Sequence, residues 1–181
     1  MKNLPLAAAI LAVFTPALWA QDTAAVDLAA GYSVIHVVRG FSLTANGGSG
    51  SAALNIARWF GIAGDLGIYH ATPGAGLTAV TYTAGPRFSY RHWNRFTPFG
   101  QILIGGAHVV STSQANYNGP TDALALGIGG GADFGIGSSG RWAIRPQVEY
   151  FGFGTPSDFG FGGATGTVRV SLGIVYRIGE K

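Results

Sequence analysis

The sequence predicts an all-β protein: an eight-stranded, antiparallel, up-and-down β-barrel that crosses a membrane and is preceded by a cleavable signal peptide. Successive segments alternate apolar with polar side chains, which is the pattern of a strand with one apolar face. Apolar residues make up 48% of the chain. Yet no stretch of the mature part approaches the ~18 consecutive apolar residues that a transmembrane helix needs. Apolar content spread over alternating strands is typical of a membrane barrel.

The N-terminus carries the features of an export signal. Lys2 gives a short positive region, residues 6–14 form an apolar core, and Ala20 is a small residue placed before Gln21 and Asp22. We therefore predict a signal peptide over residues 1–20 and one barrel domain over residues 21–181.

Composition excludes several classes of function. Only 10% of the residues are charged and the net charge is +3, with basic residues scattered along the chain, so no nucleic-acid partner is expected. The chain has no cysteine, which excludes disulfides, thiolate catalysis and cysteine-bound metals.

Eight strands are predicted, near residues 24–38, 51–58, 61–71, 77–91, 96–110, 123–136, 142–153 and 166–178. The apolar faces of the first four strands are, in order, Val26, Leu28, Ala30, Tyr32 and Val34; Leu54 and Ile56; Ile62, Leu66 and Ile68; and Val80, Tyr82, Ala84, Phe88 and Tyr90. Their opposite faces carry Asp27, Asn55, Asp65, and Thr81, Thr83, Arg87 and Ser89.

The last four strands alternate in the same way, although Leu103 blurs the fifth. Their apolar faces are Ile102 and Ile104; Leu124, Leu126, Ile128, Phe134 and Ile136; Trp142, Ile144, Val148 and Tyr150; and Val168, Val170, Leu172, Ile174, Tyr176 and Ile178. Their opposite faces carry Gln101; Asp133; Arg145, Gln147 and Glu149; and Thr167, Arg169, Ser171 and Arg177. Pro86 and Pro146 lack an N–H for the ladder, which predicts a bulge or a rim position at each.

The connections between strands alternate between short turns and longer loops. Short turns are predicted near residues 59–60, 92–95 and 137–140. Longer connections are marked by turn formers at residues 46–48, 73–74, 118–120 and 160–163. Trp59, Trp93 and Trp142 each lie at a short turn. Because indole rings favour the boundary between lipid tails and headgroups, these three predict an aromatic belt at one rim.

Charged residues on the polar faces predict what fills the barrel. If the apolar faces point outward, four acids and four arginines point into the lumen: Asp27, Asp65, Asp133, Glu149, Arg87, Arg145, Arg169 and Arg177. Buried charges are tolerated when paired, and an eight-stranded barrel is narrow enough for side chains to fill it. We therefore predict a plugged, salt-bridged lumen with no open channel.

The final strand carries the most specific similarity to a known family. Residues 171–178, with Ser171, Gly173, Tyr176 and Ile178 at the key positions, resemble the barrel-assembly signal of small eight-stranded outer-membrane β-barrels. Residues 85–90 and 95–99 are similar to strands four and five of the OmpA-like transmembrane domain, and the resemblance spans residues 21–181.

This resemblance implies a location in the outer membrane of a Gram-negative-type bacterium. It also implies that the tryptophan belt lies on the periplasmic side and that the barrel-assembly machinery reads the last strand. The expected surroundings are outer-membrane lipid and lipopolysaccharide, and a monomer is expected. The predicted role is non-enzymatic: structural, or surface binding through the loops at residues 39–50, 111–121 and 154–164. Those loops hold Asn116, Tyr117, Asn118, Asp158, Phe159 and Phe161.

Two other functions stay open at this point. One is a lipid A-modifying enzyme that uses His108, Ser111 or Ser113, and Glu149 as the acid. The other is a soluble lipocalin-like barrel whose apolar side chains surround a ligand. A cheap discriminator is whether the protein requires detergent.

Metal and cofactor sites are not predicted. The four histidines, His36, His70, His92 and His108, lie in different strands or turns without ligand spacing. Residues 127–132 match a dinucleotide fingerprint, but that motif must open a helix and the sequence continues as a strand.

Overall fold

The computed structural model describes residues 26–40, 43–71, 76–93, 95–111, 122–161 and 163–179. Eight strands follow one another: β1 (Val26–Arg39), β2 (Thr44–Asn55), β3 (Phe60–Ala71), β4 (Leu77–Ser89), β5 (Phe96–Ser111), β6 (Asp122–Ile136), β7 (Trp142–Gly154) and β8 (Thr165–Ile178). A short helix, α1 (Pro156–Phe161), lies between β7 and β8. The predicted signal peptide lies outside the described residues.

The strands close into an antiparallel barrel in the order β1 to β8. Val26 at the start of β1 lies opposite Leu54 of β2 on one side and Ile178 of β8 on the other. The first strand therefore pairs with the last, and this pairing closes the barrel. Closure leaves no sheet edge with unpaired backbone groups, which is the condition for a sheet to stand in lipid. The predicted fold class is confirmed.

The alternation of side chains along each strand gives the barrel an apolar outer surface and a charged interior. Leu66 and Leu172 on the outside are 64% and 60% exposed, whereas Arg87 and Arg169 on the inside are 1% and 2% exposed. The barrel therefore presents apolar side chains to its surroundings, the opposite of a soluble lipocalin-like barrel, and that alternative is wrong. No helix in the described part of the chain is long and apolar enough to cross a membrane.

The second strand begins earlier than predicted. Residues 46–48, expected to mark a loop over residues 39–50, lie inside β2 and pair with Val34, Ser33 and Tyr32 of β1. The loop prediction is wrong because ladder pairing on both sides overrides the turn propensity of these residues. At Gly47 a side chain would overlap the carbonyl of Ile68, so only glycine fits the close approach of β3. The connection that remains between β1 and β2 is residues 40–43.

Pro86 and Pro146, for which a bulge or a rim position was predicted, produce neither. Pairing between β4 and β5 stops at Ala84 and resumes at Arg87 with the register unchanged, while Pro86 itself stays paired with Ile62 of β3. Pro146 likewise interrupts only the β6–β7 ladder. Each residue donates its N–H to one neighbour only, so a missing donor weakens one ladder and spares the other.

Candidate functional site

The centre of the lumen is organised by Arg169 of β8. Its Nε donates to Glu149 Oε2 at 2.6 Å, and its Nη1 donates to Asp65 Oδ1 at 2.6 Å and to the Tyr69 hydroxyl at 2.9 Å. The guanidinium lies over the Phe151 ring, 4.9 Å from its centroid. One arginine thus ties β8 to β7 and β3 across the barrel. Hydrogen-bonded pairing of this kind is the condition under which charge is tolerated away from water.

Glycines on β6 make room for this cluster. Gly127, Gly129 and Gly131 lie opposite the large inward residues of β7, and a Cβ at any of them would overlap its neighbours, which include Phe151, Glu149 and Gln147. The dinucleotide-like run is therefore strand β6, with no helix after it. Its glycines serve close packing in the barrel wall.

A second part of the network lies beside the first. Gln101 donates from Nε2 to Glu149 Oε1 at 2.7 Å and accepts from Arg87 Nε at 2.9 Å. The guanidinium groups of Arg87 and Arg145 both lie over the ring of Phe99, at 4.3 Å and 4.8 Å from its centroid. Gln101 therefore connects Arg87 to the Arg169 cluster through a neutral amide.

A third group of charges lies toward the short-turn end. Arg145 binds Asp133 with two hydrogen bonds, Nε to Oδ1 at 2.6 Å and Nη2 to Oδ2 at 2.8 Å. Arg177 approaches the same carboxylate at 3.5 Å and donates to the Gly140 carbonyl at 3.3 Å. This two-pronged geometry is the strong form of an arginine–carboxylate pair.

Sequence reasoning missed one member of the lumen. Arg91 lies just past the end of β4, and its Nη2 donates to the buried carboxylate of Asp27 at 2.8 Å. The signal was available, because position 91 continues the inward alternation of Thr83, Arg87 and Ser89. The structure places all eight predicted charges inside the barrel with Arg91, so five arginines meet four carboxylates.

Little space remains between these groups. A cavity of about 20 Å³ lies beside Asp65, Arg145 and Ser171. That volume holds about one water molecule. Leu103, which blurred the fifth predicted strand, is 1% exposed and faces the same interior. The middle of the barrel is packed solid.

The rim formed by the short turns combines tryptophan with arginine. Trp59, Trp93 and Trp142 are 63%, 52% and 46% exposed, and all three lie at this one end of the barrel. Each short turn also carries an exposed arginine near its tryptophan: Arg58, Arg95 and Arg141. Indole and guanidinium together suit a layer of lipid headgroups.

The residues of the predicted assembly signal are divided between the two faces of β8. Ser171 points inward and accepts a hydrogen bond from a β1 serine at 2.8 Å. Gly173 lies against the β1 backbone, where a Cβ would come 2.8 Å from a carbonyl oxygen. Tyr176 packs on Trp142 with ring centroids 4.7 Å apart, and Ile178 is 44% exposed on the outer face.

The connections at the opposite rim lack basic residues. The connections at residues 40–43, 72–76, 112–121 and 155–164 contain no lysine or arginine. Asp158 in α1 accepts hydrogen bonds from the Thr155 amide at 2.6 Å and the Thr155 hydroxyl at 2.8 Å. These bonds hold the pKa of the Asp158 carboxyl below its usual value, so it is ionised at neutral pH.

The other predicted loop residues are only partly placed. Phe159 lies against Gly152 of β7, where a Cβ would come 2.8 Å from its ring. Phe161 is the last residue of α1. Asn116, Tyr117 and Asn118 lie outside the described residues.

Three histidines repeat one arrangement at this rim. Each lies on a hairpin close to its connection, and its Nδ1 is hydrogen-bonded to the residue directly opposite: His36 to Thr44 at 2.8 Å, His70 to Thr78 at 2.9 Å and His108 to Asp122 at 2.7 Å. The repetition indicates that these pairs stabilise the ends of the hairpins.

The catalytic grouping considered above is not assembled. Glu149 is buried in the lumen against Arg169, whereas His108 is on the outer face of β5, so Glu149 cannot orient it. The outward neighbours of His108 on β5 are Gly106 and Val110, and neither is a nucleophile. Ser113 lies outside the described residues. Among those that are described, no three histidine or acidic side chains converge as a metal site.

Comparison with known proteins shows which solved structures share this fold. No family model and no curated protein sequence matches the chain. Neisserial surface protein A is 12% identical over 84% of this chain and 96% of its own, with a TM-score of 0.64. Ail of Yersinia pestis, crystallised with the heparin analogue sucrose octasulfate, is 18% identical over 84% and 97%, with a TM-score of 0.59. The outer-membrane enzyme PagL also matches, at 17% identity over 84% and 99%, with a TM-score of 0.51.

The closure of the barrel, its apolar outer surface and the similar solved structures all indicate the same fold. Every one of the three superposes along nearly its whole length on a chain whose outer wall is apolar. The chain has the fold of the small eight-stranded outer-membrane β-barrels.

Proposed function

We propose that this protein is a non-enzymatic component of the outer membrane, a sealed barrel with a structural or surface-binding role in the envelope. The observation that carries the proposal is the Arg169 cluster, which spans the lumen from β8 to β3 and leaves beside it a cavity of only about 20 Å³. A barrel filled in this way offers no path for solutes.

The proposal includes an orientation. The short turns with their tryptophans and arginines face the periplasm, and the connections without lysine or arginine face outward. Support comes from the chemistry of the two rims, because exposed arginine and indole suit phospholipid headgroups. We also propose that the barrel works as a monomer surrounded by lipid and lipopolysaccharide. Its last strand would be read by the barrel-assembly machinery.

The chemistry of a surface partner is constrained by the same loops. Ail was crystallised with a highly sulfated ligand. The outward connections of this chain offer no lysine or arginine to such an anion. We therefore expect these connections to bind a neutral or cationic partner in preference to a sulfated anion.

The His108–Asp122 pair favours a lipid-modifying enzyme as the second candidate, since a carboxylate orients a histidine in many hydrolases. The matching His36 and His70 pairs weigh against it. We expect His108→Ala to leave the lipid A of expressing cells unchanged relative to the native protein, as judged by mass spectrometry. A modification present with the native chain and lost in His108→Ala would establish the enzyme.

Conductance tests the sealed lumen. We expect the purified protein in planar lipid bilayers to give no discrete current steps, because the Arg169 and Arg145 clusters fill the cross-section. A heat-modifiable gel band from the same sample verifies that the barrel is folded. Reproducible unitary steps from folded protein would contradict the proposal.

Cysteine labelling tests the orientation, and the chain is suited to it because it has no native cysteine. We expect Ser157→Cys in α1 to react with an impermeant maleimide on intact cells. Ser138→Cys, in the turn after β6, should react only after the outer membrane is opened. The reverse pattern would invert the assignment of the two rims.

A further inference from the structure

The inward face of the barrel changes character between its two ends. Below Tyr69 it carries the charged network, but above Tyr69, toward the loop end, it is aliphatic and aromatic. Its larger apolar side chains include Ile35, Val37, Leu77, Val109 and Phe153. They enclose a cavity of about 380 Å³, which we call the vestibule.

The vestibule has a closed floor. Tyr69 is 1% exposed and its hydroxyl is held by Arg169, and Phe151 below it is 3% exposed. Thr81 and Thr167 line the same cavity. The cavity is therefore a blind pocket lined by threonine as well as by apolar residues.

The space exists because small residues line it. Five of its inward positions are alanine: Ala45, Ala71, Ala79, Ala107 and Ala123. The lower lumen shows that this barrel can be filled solid by larger side chains. A purely structural plug would gain dispersion contacts from leucine or phenylalanine at these positions. An apolar cavity left open at the end of a packed lumen is the usual form of a ligand site.

Size and charge define the ligand. A 150 Å³ apolar cavity accepts benzene, so about 380 Å³ accommodates a fused two- or three-ring molecule. Among the described residues that line the vestibule, the one charged side chain is Asp158, which is ionised and repels anions. The lining includes three threonines, Thr81, Thr165 and Thr167, and a threonine hydroxyl can bond to one polar atom of a ligand.

We propose that the vestibule binds a small, neutral, largely apolar ring molecule that carries one hydroxyl or carbonyl group. This inference goes beyond the proposed envelope role. The orientation of the barrel proposed above determines only the compartment from which the ligand enters.

Binding of 1-naphthol to the protein in lipid nanodiscs tests the proposal. We expect saturable binding at one site per barrel, above the partition into empty nanodiscs. Ala107→Phe fills the vestibule and should weaken binding at least tenfold. Ala84→Phe, on the outer face of β4, is the matched control and should bind as the native protein does. Equal binding by the two variants, or no saturable binding, overturns the proposal.

Two further arms fix the class of ligand. We expect naphthalene-1-sulfonate, the anionic counterpart, to bind at least tenfold more weakly, and equal binding would refute the assignment of a neutral ligand. If dodecanol binds saturably while 1-naphthol does not, the pocket takes a linear chain and the ring assignment is wrong.

Thiol protection supplies a measurement that does not depend on Ala107→Phe folding. Val109 faces the vestibule and its neighbour Val110 faces outward. We expect 1-naphthol to slow modification of Val109→Cys by a small thiol reagent several-fold and to leave Val110→Cys unaffected. Equal rates with and without 1-naphthol at Val109→Cys would count against occupancy of the vestibule.

Discussion

Replacing Arg169 by leucine is expected to destabilise the folded barrel by roughly 3–5 kcal/mol. The substitution removes the donor to Asp65 and Glu149, which are 5% and 2% exposed, and leaves two carboxylates in the lumen without their cation. The measurement is urea-induced unfolding in phospholipid vesicles, followed by the fluorescence of the rim tryptophans.

Two further variants test whether the loss of stability comes from breaking the ion pairs or simply from removing an arginine. Arg95→Leu removes an exposed arginine at a short turn and should change stability by no more than about 0.5 kcal/mol. Removing all three charges, with leucine for Arg169 and Asp65 and glutamine for Glu149, should recover much of the loss, because no unpaired charge remains. If Arg169→Leu proves as stable as Arg95→Leu, the cluster does not hold the barrel together.

Leu172→Arg is expected to cost roughly 2–4 kcal/mol, because it places a charge on the lipid face near the middle of β8. Leu172 is 60% exposed and pairs with Tyr32 and Pro146, well away from either end of the strand. Folding into vesicles and a urea titration measure the loss.

The control for this variant is a matched position at the membrane boundary. Ile136 is 42% exposed on the same outer surface but is the last residue of β6, at the short-turn rim. The cost of a charge on the lipid face falls to about 0–1 kcal/mol near the interface, so Ile136→Arg should be mild. Equal costs at the two depths would show that the outer wall does not face lipid.

The strand pattern was readable from the sequence because a strand exposes every second residue to the same medium. Val168 to Ile178 alternates with Arg169 and Ser171, and this alone predicts which side chains meet lipid. The lumen residues could be proposed for the same reason. Arg91 was left out of the predicted lumen charges, although the predicted fourth strand reached it and its alternation placed it on the inward face.

The sequence misled where local preference and tertiary pairing disagree. Residues 46–48 have the composition of a turn, but β1 and β3 lie on either side and hold them in the sheet. The dinucleotide-like run in β6 is glycine-rich for a related reason, since the large inward residues of β7 fill the space beside it. Neither neighbour can be read from the segment itself.

The sequence by itself determined the fold class, the number of strands and the face of each strand that meets lipid, because these depend only on an alternation of period two. The tertiary structure alone decided the partners of each charge. Arg169 meets Asp65, 104 positions away in the chain, only because the barrel closes. It also decided that the lumen is solid at the Arg169 cluster and hollow above Tyr69. Filling of a cavity depends on the joint volume of side chains from all eight strands, and no single strand specifies that sum.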